Sequence, residues 1–122
     1  MFPISNGVNR QLGQMGEVLA AEFLTTLGYK IIARNHRSRF GEIDIVALHK
    51  GDIIFVEVKA RSSDRFGTPA EAITHSKLEK LRRLIADFIV RYNIIRPVRF
   101  EVVVVGDSGL PQLITEIDFV DR

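Results

Sequence analysis

Apolar residues recur along the chain at two different spacings, which divide it into predicted helices and strands. In residues 8–27 they recur at intervals of three, four and seven or eight, as expected of an amphipathic helix. Gly28 follows the last apolar position, where a left-handed residue commonly ends a helix. A second helix is predicted from Ser76 to about Tyr92, and Pro97 prevents its extension.

Shorter runs rich in β-branched residues predict the strands. They cover residues 30–37, 41–49, 52–60 and 99–106, and residues 113–118 are expected to form an edge strand. The second and third runs are joined by a short turn and therefore predict a hairpin. A strand that is followed by a helix and another strand should cross over right-handedly to a parallel neighbour. The predicted fold class is α/β, with an αβββαβ core in which helices flank a mixed sheet.

Length and composition narrow the class of protein. The 122 residues support one domain, in which residues 1–7 are expected to be a flexible lead-in and residues 61–75 a long loop. The chain has no cysteine, which excludes disulfides and thiolate metal sites and fits a reducing cytoplasm. No stretch approaches the ~20 apolar residues that span a bilayer, and the first residues lack a signal-peptide pattern. We therefore expect a cytoplasmic protein with no membrane segment.

The chain is mildly basic, and the positions of its charged residues are more informative than its net charge. The formal net charge is +2, and the isoelectric point is about 9.2. Two basic clusters are present: Arg34, His36, Arg37 and Arg39 before the GEID segment, and Lys77, Lys80, Arg82 and Arg83 in the second helix. They favour a nucleic-acid partner, although either cluster alone is equally consistent with a solvated face.

The hairpin carries the strongest candidate chemistry. Its register pairs Leu48 with Ile53, Val46 with Phe55, Asp44 with Glu57, and Glu42 with Lys59. Because side chains alternate along a strand, all eight are expected on one side of the sheet. Two carboxylates would then lie opposite each other, about 4.5–5.5 Å apart at Cβ.

Two carboxylates in that position need a partner of opposite charge. Like charges directly opposite each other are destabilising, and these strands are apolar enough to be central. Mg²⁺ is usually held by one or two carboxylates together with water and phosphate oxygens. We therefore predict Asp44 and Glu57 as ligands of Mg²⁺, or of Mn²⁺ in its place, with the carbonyl of Val58 as a further ligand. The alternative is a polar patch in which Lys59 neutralises Glu42 or Glu57.

Glu17 is a further candidate ligand on the first helix. It lies at the edge of the apolar stripe, and small residues around it, including Gly13 and Gly16, would let the helix approach the sheet. That approach would bring the carboxylate near the metal. A solvated boundary position is the alternative.

The residues Asp44, Glu57 and Lys59 form a D-x12-E-x-K pattern, which resembles the restriction-endonuclease-like PD-(D/E)xK superfamily, including the archaeal Holliday-junction resolvases. More closely, about residues 12–105 resemble the YraN-like family of uncharacterised bacterial proteins. The matching segments are GEVLAAEFLTTLGY, RFGEIDIVA, IIFVEVKARSS and FGTPAEAI. The resemblance implies a nuclease-like core with Asp44 and Glu57 as metal ligands, Lys59 beside them and Glu17 as the first-helix acid. One departure is Ile43, which stands where the superfamily label has proline.

The function expected from these features is metal-dependent hydrolysis of phosphodiester bonds in DNA, with selectivity for a junction, a flap or an end. Lys59 is expected to position water and stabilise negative charge, because neighbouring carboxylates raise the pKa of a lysine. Basic side chains around the site would contact the nucleic-acid backbone. The residues predicted for that role are Arg37, Arg39, Arg61, Arg65 and Lys77.

Other functions remain open at this point. The leading alternative is a nucleic-acid-binding module that keeps a nuclease fold without catalysis, and a protein-interaction scaffold is the third. Resemblance to resolvases also raises a homodimer as an expectation. A zinc hydrolase is disfavoured because His36, His49 and His75 lack ligand spacing.

Overall fold

The computed structural model describes residues 7–60, 75–106 and 111–114. Its elements are α1 (Gly7–Thr26), β1 (Lys30–Ser38), β2 (Gly41–His49), β3 (Asp52–Ala60), α2 (His75–Arg91), β4 (Val98–Val105) and β5 (Pro111–Ile114). The predicted α/β class and αβββαβ order are confirmed. The last strand begins at Pro111, earlier than expected. The predicted lead-in and loop fall almost entirely outside the described residues.

The strands form one mixed sheet in the order β1-β2-β3-β4-β5. Strands β3 and β4 are parallel, and the other neighbours are antiparallel. Helix α2 makes the connection that a parallel pair requires, because a short turn cannot join two parallel strands. Placing β4 beside β3 leaves β5 at one edge of the sheet and β1 at the other.

Each face of the sheet packs against one helix. On the α2 face, Leu81, Leu84 and Phe88 join one buried cluster with side chains of the central strands. On the α1 face, Ala20 and Leu24 join a second cluster. Strands β2, β3 and β4 supply residues to both clusters, which explains why their sequences are apolar almost throughout. Neither described helix is long and apolar enough to cross a membrane.

Residues with positive φ form the turn after α1 and the turn of the β2–β3 hairpin. Gly28, with φ +92, follows α1, and the amide of Tyr29 donates to the carbonyl of Leu24 at 3.0 Å. Lys50 and Gly51 have φ values of 51° and 87°. Two positive φ values are characteristic of a two-residue hairpin turn that matches strand twist. This turn produces the predicted pairing of Leu48 with Ile53 and of Val46 with Phe55, and the ladder ends at the pair Ile45–Val56.

Strands β1 and β2 are both irregular at one level of the sheet. Arg34 pairs with Ile45, and the next recorded pair is His36 with Ile43. Between them Asn35 adopts a left-handed conformation with φ 53. Asparagine tolerates this conformation better than most residues, since its short polar side chain can hydrogen-bond locally. The irregularity lies directly opposite Asp44.

This irregularity changes which way the side chains of β2 point. Val46 belongs to the cluster on the α2 face, as strict alternation predicts. Ile43 belongs to the same cluster, although alternation would place it on the other face. The expectation that all eight hairpin positions share one side is therefore wrong beyond Asp44. Glu42, predicted opposite Lys59, lies instead beside Arg37 of β1, with 3.1 Å between Oε2 and Nε.

A buried carboxylate on the α1 face has its partners in place. Glu101 is only 1% exposed. Its Oε1 accepts a hydrogen bond from the Tyr29 hydroxyl at 2.6 Å, and its Oε2 accepts one from Arg99 Nη1 at 3.2 Å. Arg99 also contacts His49 Nδ1 at 3.1 Å, and a guanidinium can only donate, so this nitrogen is the acceptor. The network satisfies a charge that would otherwise be costly to bury.

Replacing Tyr29 with phenylalanine should test that network. The Tyr29→Phe variant keeps the ring but removes a hydrogen bond to a buried carboxylate, so the free energy of unfolding should fall by about 2 kcal/mol. Urea denaturation monitored by circular dichroism measures the change. Tyr92→Phe is the matched control, because Tyr92 is 52% exposed. Equal losses in the two variants would contradict the role given to the Tyr29 hydroxyl.

Candidate functional site

The candidate residues come together where β2 separates from β3. The β2–β3 ladder runs from the pair His49–Asp52 to the pair Ile45–Val56. Beyond it β3 continues alone on that side, while its other edge stays paired with β4 as far as Ala60. The gap between the two strands is occupied by a side chain rather than by a further backbone pair.

That side chain is Asp44. Its Oδ2 accepts a hydrogen bond of 2.7 Å from the backbone N–H of Val58. Its carboxyl group also shares a hydrogen bond with Glu57. Burial, and then the hydrogen bond and charge of Glu57, raise the pKa of Asp44 to about 8, although the Val58 amide opposes the shift. The strand ladder does not include the predicted pair of Asp44 with Glu57, but the two carboxyl groups are in contact through their side chains.

Glu57 also contacts a cation from α2. Lys77 Nζ lies 2.9 Å from Glu57 Oε2, and the two side chains are 39% and 14% exposed. Burial opposes the charge of Lys77, but hydrogen bonds with Lys59 and Glu57 outweigh it, so the pKa of Lys77 is raised. Lys77 was predicted only as a contact for phosphate. The structure places it against one of the predicted metal ligands.

The pKa of Lys59 is shifted in the opposite direction from the prediction. Its pKa is lowered, first by burial and then by the hydrogen bond with Lys77, and the charges of Glu57 and Asp44 only partly offset these effects. The expectation of a raised pKa is therefore wrong, although the carboxylates themselves act in the expected direction. It omitted the burial of Lys59 and a second amine, that of Lys77, which reaches the site from α2. In the pair, Lys77 holds its proton more tightly and Lys59 less tightly.

Glu17 lies near the pair but is oriented toward β1. Its Oε1 is 4.0 Å from Arg34 Nη2, and its side chain has a hydrogen bond with Asn35. Burial raises the pKa of Glu17, and the negative charges of Glu42 and Glu57 act in the same direction. Across residues 7–60, 75–106 and 111–114, no three Asp, Glu or His side chains converge to hold a metal ion. Glu17 as a ligand stays a prediction.

The predicted phosphate-contacting arginines are only partly described. Arg37 forms an ion pair with Glu42, and the guanidinium of Arg39 lies 4.8 Å from the centre of the Phe40 ring. Arg37 lies near the end of β1 and Arg39 in the β1–β2 connection, at the end of the sheet that carries Asp44. Arg61 and Arg65 lie outside the described residues.

The donor set suits a hard divalent cation. Asp44 and Glu57 present oxygen ligands, and Mg²⁺ commonly takes only one or two carboxylates while keeping several waters. The Lys77 ammonium against Glu57 shows that a cation is accommodated there. The carbonyl of Val58 stays a predicted ligand, whereas its N–H group has a defined role in orienting Asp44.

Two residues of the site were missed by sequence reasoning. Arg34 was noted only as part of a basic cluster, and Asn35 was interpreted as an ordinary strand residue. The available signal was an asparagine inside a β-branched run, since asparagine is depleted in strands and tolerates a left-handed backbone. Together they hold Glu17 at the edge of the site.

Comparison with known proteins identifies the family. The chain belongs to the uncharacterised protein family UPF0102, whose model matches residues 16–105. This confirms the predicted YraN-like membership. A UPF0102 protein of Symbiobacterium thermophilum is 50% identical over 105 residues, covering 84% of this chain and 89% of the relative. Another, from Thermodesulfovibrio yellowstonii, is 41% identical over 103 residues, covering 84% and 92%.

Among solved structures, the chain is similar to a repair endonuclease from Pyrococcus abyssi, with a TM-score of 0.46 and 18% identity. The match covers 88% of this chain. This chain spans only 42% of that protein's length.

The raised pKa of Asp44 predicts a specific dependence of stability on pH. Because the folded state binds the proton more tightly than the unfolded chain, stability falls as pH rises from about 4 to about 8 in the absence of divalent cations. In the Asp44→Asn variant the side-chain amide cannot titrate, yet it can still accept from Val58 and donate to Glu57. This variant should therefore gain stability over wild type toward pH 8, on the order of 2 kcal/mol relative to pH 4.

Thermal unfolding in EDTA across this pH range measures the difference. Glu42→Gln, which removes an exposed carboxylate from the same strand, is the control and should show a nearly constant offset. An Asp44→Asn offset that does not grow with pH would contradict the account of the carboxyl pair.

Proposed function

We propose that this protein is a metal-dependent nuclease that hydrolyses phosphodiester bonds in DNA. The observation that carries the proposal is the hydrogen-bonded carboxyl pair of Asp44 and Glu57, flanked by the amino groups of Lys59 and Lys77. Two carboxylates can bind a divalent cation, and amines beside them can contact the phosphate that this cation would also bind. The D-x12-E-x-K pattern formed by three of these residues supports the same interpretation.

The roles follow from where each group is held. Asp44 and Glu57 would hold Mg²⁺ or Mn²⁺, and the Val58 amide fixes the orientation of the Asp44 carboxylate. The bound ion would supply Lewis-acid activation of the phosphodiester and of a water molecule. Lys59 projects from the same strand as Glu57, so it can orient the attacking water and stabilise charge that develops on the phosphate.

The substrate is proposed from charge and from family resemblance. Arg37 at the end of β1 and Arg39 in the β1–β2 connection lie beside the site, and Arg61 and Arg65 follow β3 in sequence. Contacts from such residues to the DNA backbone would make binding strongly dependent on salt. We propose selectivity for DNA structure, such as a junction, a flap or an end. A homodimer, which resemblance to resolvases suggests, is part of the proposal and is testable by sedimentation.

The first experiment is cleavage of labelled duplex, single-stranded, flap and four-way-junction DNA in Mg²⁺ or Mn²⁺. The wild type should cut at least one of these substrates. Asp44→Asn removes a ligand charge and Lys59→Met removes the amine, so each should lower the rate about 100-fold or more. Lys30→Met is the matched control, since Lys30 is exposed and pairs with Leu48 at the end of the sheet remote from Asp44, and it should leave cleavage unchanged.

The outcomes separate the enzyme from a binding module. Equal cutting by all variants would identify a contaminating nuclease, and no cutting of any substrate would count against the proposed reaction. Salt-sensitive DNA binding in EDTA without cleavage would favour the catalytically silent nucleic-acid-binding module. Absence of both cleavage and DNA binding would favour the third alternative, a protein-interaction scaffold.

A further inference from the structure

We propose that Lys77 occupies the cation position of Glu57 in the free protein, opposes metal binding there, and moves to a phosphate of the nucleic acid when the metal binds. This inference rests on the proposed function. It changes Lys77 from a simple phosphate contact into a positioning residue that couples binding of the metal to binding of the substrate.

The contact geometry places an ammonium where a metal would have to bind. Lys77 Nζ is 2.9 Å from Glu57 Oε2, and the glutamate side chain is only 14% exposed. A divalent cation bound to the same carboxylate would lie within a few ångströms of this ammonium. Repulsion between two cations at such a distance is strong in a partly buried site. Metal and ammonium therefore compete for Glu57.

Of the two lysines at the site, Lys77 is the one that can leave. Lys59 belongs to β3, where it is paired with Val104 in the parallel ladder, so its backbone is fixed beside Glu57. Lys77 reaches the site from the first turn of α2. Its side chain is 39% exposed. A lysine is a compact charge on a flexible four-carbon stem, and it can be redirected without any change of the backbone.

The substrate provides the place to which Lys77 can move. A phosphodiester carries the negative charge that Lys77 would lose on leaving Glu57, and lysine is a common phosphate ligand. Binding of the metal to Glu57 and binding of DNA to Lys77 would therefore each increase the affinity for the other ligand. Such coupling is reciprocal, so DNA should raise the affinity for the metal.

Mn²⁺ binding provides a readout that is independent of cleavage. Electron paramagnetic resonance measures free Mn²⁺ during titration of the wild type, Lys77→Met and Lys80→Met, without DNA. Removal of the competing ammonium should tighten binding by Lys77→Met about tenfold, which corresponds to ~1.4 kcal/mol. Lys80→Met deletes an equal charge from an exposed position on the same helix and should bind like the wild type. Lys77→Arg, which keeps a cation, should also stay close to the wild type.

The results distinguish this inference from the proposed function. Unchanged or weaker Mn²⁺ binding by Lys77→Met, together with loss of binding in Glu57→Gln, would overturn the inference and leave the metal site standing. An equal gain in Lys80→Met would also overturn it, because the effect would then reflect net charge alone. Absence of Mn²⁺ binding by every protein, wild type included, would overturn the metal site and this inference together. A non-cleavable four-way junction should tighten Mn²⁺ binding to the wild type more than to Lys77→Met.

Discussion

Two carboxyl groups, those of Asp44 and Glu57, share a hydrogen bond at the point where β2 separates from β3. In a partly buried position they cannot both be ionised without a cation beside them, because each is desolvated and each repels the other. The ammonium of Lys77 lies against Glu57, and the pKa of Asp44 rises to about 8. The roles proposed for Lys59, Lys77 and a divalent cation all derive from this pair.

The fold creates the pair through a local irregularity and a long connection. Asn35, in its left-handed conformation, interrupts the regular strands opposite Asp44, so the Asp44 side chain turns toward the Val58 amide. The parallel pairing of β3 with β4 requires a crossover, and the first turn of the crossover helix α2 holds Lys77 against Glu57. The site thus depends on an interruption of regular pairing between β1 and β2 and on regular pairing between β3 and β4.

The carboxylate of Glu101 has a different environment from that of Asp44. Glu101 is enclosed on the α1 face, where Tyr29 and Arg99 satisfy both of its oxygens. Every partner there is present in the folded chain, as expected of a polar network that stabilises a core. Asp44 accepts a hydrogen bond from a backbone N–H, but its other contact is with a second acid, Glu57. Two ionised carboxylates in that position are unfavourable without a counter-ion. The contrast separates a carboxylate that serves the structure from one that is available for chemistry.

The sequence by itself determined the helices, the strands, the hairpin register next to the turn and the candidates Asp44, Glu57 and Lys59. These features depend on local periodicity and on turn residues, and both can be recognised along the chain. Only the tertiary structure decided how the site is charged and oriented. Alternation placed Ile43 on the wrong face because it does not foresee an irregular strand. The charges of β3 alone gave the wrong direction for the pKa of Lys59. That direction depends on burial and on Lys77, which is distant in sequence and is brought to the site by the packing of α2 against the sheet.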